Sequence, residues 1–344
     1  MKRLLALLLV PACTGGERAS TGQCPAGEVC SPKTPNGLHF IGNDLADTLN
    51  LVGPSPTAIG GTQEVALQYD RGDGILIALD LPFKADDDGA EGVKVSATSG
   101  SVVTVEGVGS RTNYLRIVDP ADNTLYDRKE LAGAALDKIE LLPTNLERVP
   151  ADADLAWAPG TFDIAVGLFG QVQESGGPTE ERLVDSSMSL TLAGAAQTHW
   201  DTLHLTAAQP GTSTLMVTAG DKPPANIDVV VTATADMVAP LDSPQTLMTN
   251  ISSDVCFTAT SGTRTIVGLP WTFTVDGASQ PASLEPNCVA VKTTKTSGTV
   301  SIVGAAGGQM ATLQLTVGAM ARTAPRPVRM LPTTAGERAE SLEP

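Results

Sequence analysis

The chain has 344 residues, long enough for two or three domains and several hydrophobic cores. With 34 Gly, 24 Pro, charged residues at only 17% and no heptads of Glu, Lys and Leu, it excludes coiled coils and favours short strands joined by many turns. A formal net charge of -16 repels nucleic acid and anionic head groups, and is compatible with solubility outside the cell and weak binding of divalent cations.

The chain opens with Lys2 and Arg3, a short basic segment, followed by the apolar run Leu4 to Val10, which is too short to span a bilayer. Val10-Pro11-Ala12 then ends in a small residue just before Cys13. This stretch resembles a bacterial lipoprotein signal, with Pro11 and Val10 departing from the usual leucine-led pattern. The resemblance implies cleavage before Cys13, acylation of its sulfur and new amino group, and a chain held by lipid in the outer membrane or at the cell surface. Thr14 follows the cysteine where the family's inner-membrane retention signal would place Asp. Without Lys2 and Arg3 the chain carries 20 basic against 38 acidic residues, a charge of -18. A plain secretory signal with an unrelated cysteine nearby is the competing reading. No later apolar run approaches the ~20 residues of a membrane helix, so Cys13 carries any membrane attachment.

Setting Cys13 aside leaves Cys24, Cys30, Cys256 and Cys288, an even set in an oxidising compartment. Four cysteines allow three pairings, and locality favours Cys24 with Cys30 and Cys256 with Cys288. A metal site at Cys24-Pro-Ala-Gly-Glu-Val-Cys30 competes less well, because the spacing exceeds the usual zinc range and only His39 lies near.

Residues 13–36, rich in Gly, Ser, Thr and Pro, read as a flexible tether with one small cystine loop. A first β-sandwich is expected over 37–148. It starts with a strand at Gly37 to Gly42, and Asn43 to Leu51 could form a turn or a short helix. The alternation Val65, Leu67, Tyr69 follows a Gly-Gly break. Strands follow at Ile75 to Leu79, Val93 to Ala97, Val102 to Val105 and Tyr114 to Val118. Asp119-Pro-Ala-Asp-Asn123 marks a hairpin, and Ala135 to Leu142 is expected to close the unit. A second unit is expected over 149–234, ending in the pair Gly211 to Gly220 and Ile227 to Val231. A third over 235–319 repeats that ending at Gly298 to Gly304 and Ala311 to Val317, and 320–344 reads as a disordered tail.

The repeated ending, Gly then an alternating strand, a loop and Ala-x-Leu-x-Leu-x-Val, resembles the last strands of bacterial immunoglobulin-like domains of the invasin and intimin type. Val255 to Ala259 and Leu269 to Gly277, with Trp271 as core aromatic, resemble that family's middle strands. The resemblance covers about residues 150–319, and it implies an all-β chain of tandem immunoglobulin-like β-sandwich domains. Cys288 follows Trp271 too closely for the cysteine arrangement of antibody domains, so a Cys256–Cys288 bridge would join strands differently.

Chemistry is sparse in this sequence. His39, His199 and His204 belong to no recognised metal or nucleophile motif, and no nucleophile elbow, phosphate loop or dinucleotide fingerprint occurs, so no cofactor is expected. Asp86-Asp87-Asp88 is the one dense acidic cluster, a weak calcium candidate that reads better as a solvated turn. The expected function is therefore a non-catalytic envelope lipoprotein acting as adhesion, spacer or assembly scaffold, with protein partners in the envelope or on another cell. The alternative is an envelope hydrolase or calcium-dependent binding protein using the aspartates and histidines.

Overall fold

The computed structural model describes residues 24–42, 55–89, 91–174, 177–241, 243–281, 283–318 and 328–329. These residues form 28 strands and no helix, as the Gly- and Pro-rich composition requires. Cys13, the signal segment and most of the C-terminal tail lie outside them, as does the turn or helix expected at 43–51.

The first sandwich has two sheets. One joins β1 (His39–Gly42), β3 (Thr62–Asp70), β4 (Leu76–Ala78), β6 (Val93–Ser99) and β7 (Val102–Gly107). The other joins β2 (Thr57–Ala58), β5 (Lys84–Asp87), β8 (Thr112–Val118) and β9 (Leu125–Ala134). Val65, Leu67 and Tyr69 alternate inward from β3 and meet Leu115, Ile117 and Tyr126 of the facing sheet. Each such buried side chain contributes ~1.5–3 kcal/mol, which is why the period-2 pattern specifies strand register. The hairpin between β8 and β9 turns at Asp119 to Thr124, with Asn123 at φ 60°.

The supposed tether is in part structural. Residues 24–36 carry the Cys24–Cys30 disulfide and lie along β9. Leu125 N donates to Val29 O at 2.8 Å and Ser31 N to Leu125 O at 2.7 Å, while Arg116 pairs with Glu28 at 3.1 Å. Thr34 is fully buried, so a Thr- and Pro-rich composition that reads as linker here serves as an extra edge.

The second sandwich contains β10 (Lys138–Pro143), β11 (Val149–Pro150), β12 (Leu155–Trp157), β13 (Gly160–Glu174), β14 (Gly177–Leu183), β15 (Ser189–Thr191), β16 (Ala195–His199), β17 (Thr202–Ala207), β18 (Gly211–Thr218) and β19 (Ala225–Val231). Strand β10, expected to close the first unit, pairs instead with β13 from Lys138↔Phe169 to Pro143↔Ile164. The sequence break therefore falls near 135, ahead of β10, and not near 149. Pro143 ends the strand without ending the domain.

The third sandwich contains β20 (Met237–Leu241), β21 (Thr246–Leu247), β22 (Ser252–Ser261), β23 (Arg264–Val267), β24 (Thr272–Asp276), β25 (Cys288–Lys292), β26 (Gly298–Ala306) and β27 (Gln309–Val317). Its core gathers Val255, Phe257, Val291, Val300, Ile302 and Leu315, with Trp271 stacked on Phe273 at 5.9 Å beside it. Of the tail, only β28 (Val328–Arg329) is described, and it pairs with β11.

Consecutive sandwiches share strands. Thr57 and Ala58 of β2 run parallel to the end of β9, while Ala58 N donates to Val184 O at 3.0 Å in the second unit. Strand β12 does the same between β19 and β23, parallel to both, so one eight-stranded sheet runs through the second and third sandwiches. Because side chains alternate, Leu155 and Trp157 enter the second core, while Ala158, just past β12, joins the third.

Candidate functional surfaces

The acidic cluster is not a turn. Asp86 and Asp87 lie on edge strand β5, paired with Arg116 and Leu115, and strand alternation sends them to opposite faces. Asp86 lies 3.9 Å from the Arg116 guanidinium, Asp87 accepts from Val95 N at 3.1 Å, and Asp88 N donates to Tyr114 O at 3.0 Å. The three carboxylates are thus not brought together around one point.

The histidines are separate as well. His199 and His204 sit on the two strands of the β16–β17 hairpin, whose register slips between Gln197 and His199. His199 Nδ1 lies 2.8 Å from Asp201, a fully buried carboxylate also held by Arg182, and His204 Nδ1 lies 2.6 Å from Asp163. In each case a carboxylate orients an imidazole, but neither ring is hydrogen-bonded to a hydroxyl or thiol among the described residues. His39, on β1, is held below the usual imidazole range by burial.

Cys256 and Cys288 are direct partners across the antiparallel β22–β25 pair and form a disulfide within one sheet. Glu285 approaches to 2.9 Å of Cys288 Sγ, so three donors of metal-binding type lie within 4.8 Å of one another. With both sulfurs committed to the bridge, no thiolate is left to bind a metal.

Two surface features carry no obvious sequence signal. A groove of about 470 Å³ opens where β10 faces the start of β19, lined by Ile139, Leu141 and Ile227 and rimmed by Lys138, Asp228 and Arg264. It exists because β12 begins only at Leu155 and leaves the first residues of β19 unpaired on that side. The β3–β4 turn is the second. Asp70 accepts from Gly72 N at 2.7 Å and Gly74 N at 2.9 Å, which holds its carboxyl below the usual range and presents Ile75 at 62% exposure.

The residues that sequence reasoning missed are at the joints between sandwiches. Asp185, 1% exposed, accepts from Thr62 N at 3.0 Å, Ser187 N at 2.9 Å and Gly220 N at 2.8 Å, so it ties the second unit to the start of β3. Gly60 (φ 78°) and Gly220 (φ 57°) allow the backbones to meet there. A Cβ on Gly60 would sit 2.6 Å from Asp221 N. At the other joint Glu147 is buried and accepts from Gly268 N at 2.9 Å, while Asn287 binds both N and O of Arg148 and Arg148 pairs with Glu285 at 2.8 Å.

No family model and no curated protein matches this chain. Among solved structures it is similar to FdeC, an Escherichia coli adhesin, at 14% identity and TM-score 0.22, over 82% of this chain and 97% of that one. It is also similar to domains 4–9 of the surface-layer protein SbsC, at 12% identity and TM-score 0.24, over 82% and 47% of the respective chains. An endo-fucoidan hydrolase of glycoside hydrolase family 107 matches at 12% identity and TM-score 0.24, over 78% of this chain and 43% of that one.

Proposed function

We propose that the chain is a non-catalytic, lipid-anchored envelope protein whose sandwiches serve as a stiff spacer or assembly scaffold, set at the outer membrane or cell surface by Cys13. The observation that carries this reading is the construction of the joints. Independent domains on flexible linkers would meet through small, polar contacts. Here each boundary is crossed by a shared strand and fastened by a buried carboxylate, Asp185 or Glu147, so the units are coupled through backbone hydrogen bonds. A stiff body of this kind is suited to holding a binding surface at a set distance from a membrane, and the acidic surface directs it toward protein partners and away from nucleic acid.

Replacing Cys13 with Ser should move the protein from the membrane to the soluble fraction; retention on membranes would reject the anchor. For the scaffold, a pull-down from envelope extract with the lipid-free chain, with and without Ca²⁺, should capture a defined protein partner in both conditions. Turnover of an envelope polymer that disappears on Asp87→Ala would replace this reading with the hydrolase.

A further inference from the structure

The segment between β10 and β11 crosses to the third sandwich and docks there through Glu147 and Arg148. Glu147 spans 121 positions to accept a hydrogen bond from Gly268 N, directly after β23. Its other oxygen, Oε1, is buried without a partner. A buried carboxylate whose donors are one backbone N–H and the nearby Asn145 side chain, with one oxygen left unpartnered, is a poorly solvated anion, whereas the neutral acid has far less to lose. We propose that Glu147 is a protonation latch: as the neutral acid it ties the second sandwich to the third, and on ionising it loosens that joint.

The surroundings reinforce the point. The charged groups on the elements packed around it are Arg148 on its own segment and Glu285 on the loop before β25, and these neutralise each other at 2.8 Å. Arg264 stands at the far end of β23, four residues from Gly268. None supplies Glu147 with a counter-ion, and burial pushes its carboxyl up to about 7 against the opposing hydrogen bonds from Gly268 N and the Asn145 side chain. A carboxyl raised in the docked state and ordinary in the released state stabilises docking below its ordinary pKa of 4.5. That contribution is lost progressively as pH rises from 4.5 to about 7. Across this window the opening constant of the joint rises about 80-fold.

The test is native-state hydrogen exchange of the full chain, made soluble with Cys13→Ser, from pH 4.5 to 8.5 with intrinsic rates divided out. The Gly268 amide should show an opening constant that rises about 150-fold in this protein and stays level within about threefold in Glu147→Gln. Glu147→Leu, which cannot ionise, should be equally level even though it leaves Gly268 N unpaired at every pH. Because His39, His199 and His204 are present in all three proteins, the difference between profiles isolates Glu147. Parallel profiles in the parent and either variant overturn the latch. So does a loss of protection at Leu215 and Val229 in step with Gly268, since the event would then be unfolding of the second sandwich and not release of the joint.

Discussion

The two joints use the same parts to different effect. Between the first and second sandwiches, Asp185 is fully buried but meets three backbone N–H groups and the Ser187 hydroxyl, a set that gives both of its oxygens a donor. Between the second and third, Glu147 is 7% exposed, meets one backbone N–H and the Asn145 side chain, and keeps an orphan oxygen. Burial alone does not decide whether a carboxylate fastens or releases. The number of donors aimed at it does.

The largest effect should come from breaking the well-satisfied joint. Asp185→Ala leaves three buried N–H groups without an acceptor and should cost ~3–5 kcal/mol in denaturant unfolding, while Asp185→Asn, which keeps one acceptor oxygen, should cost less. Within the third sandwich, removal of the Cys256–Cys288 bridge by paired Cys→Ala substitution should cost ~2–4 kcal/mol, because it frees a loop spanning 32 positions in the unfolded chain. The loss should appear in the melting of the third sandwich. Glu147→Gln sharpens the contrast by acting in the opposite direction. It should stabilise by ~2–3 kcal/mol at pH 8 and change nothing measurable at pH 4, in urea titrations at the two pH values. An Asp185→Asn variant should show no such gain at pH 8.

Smaller effects follow from geometry. Gly60→Ala places a methyl against Asp221 N and forces an L-residue to φ 78°, and should cost ~1–3 kcal/mol by the same titration. Arg71→Ala removes an ion pair with Asp80 that is more than half exposed on both sides, and thermal melting should not register it. A loss there as large as that at Asp185 would mean that the joints are not where the molecule is held together.

Much of the strand pattern was legible in the residues. Val65-x-Leu67-x-Tyr69 and Leu313-x-Leu315-x-Val317 alternate in the sequence and lie in strands β3 and β27, because one buried face demands period 2. Asp119 to Asn123 turns where its Asp, Pro and Asn content says it must. The pairing of Cys24 with Cys30 and of Cys256 with Cys288 follows from proximity along the chain. The aspartates that hold His199 and His204, Asp201 and Asp163, were not legible.

What the sequence by itself determined, then, is local: strand, turn, cystine and the all-β class, each set by neighbours a few residues apart. Tertiary structure decided which partner each element chose. Lys138–Pro143 has the same alternation whichever sandwich it joins, and only the free edge of β13 drew it into the second. Thr57–Ala58 and Leu155–Trp157 are too short for periodicity to speak, and became shared strands because open edges from two domains met there. Asp185 and Glu147 look alike as residues in a chain. Their difference lies in how many N–H groups from distant segments converge on each, a quantity that the fold sets and no local pattern records.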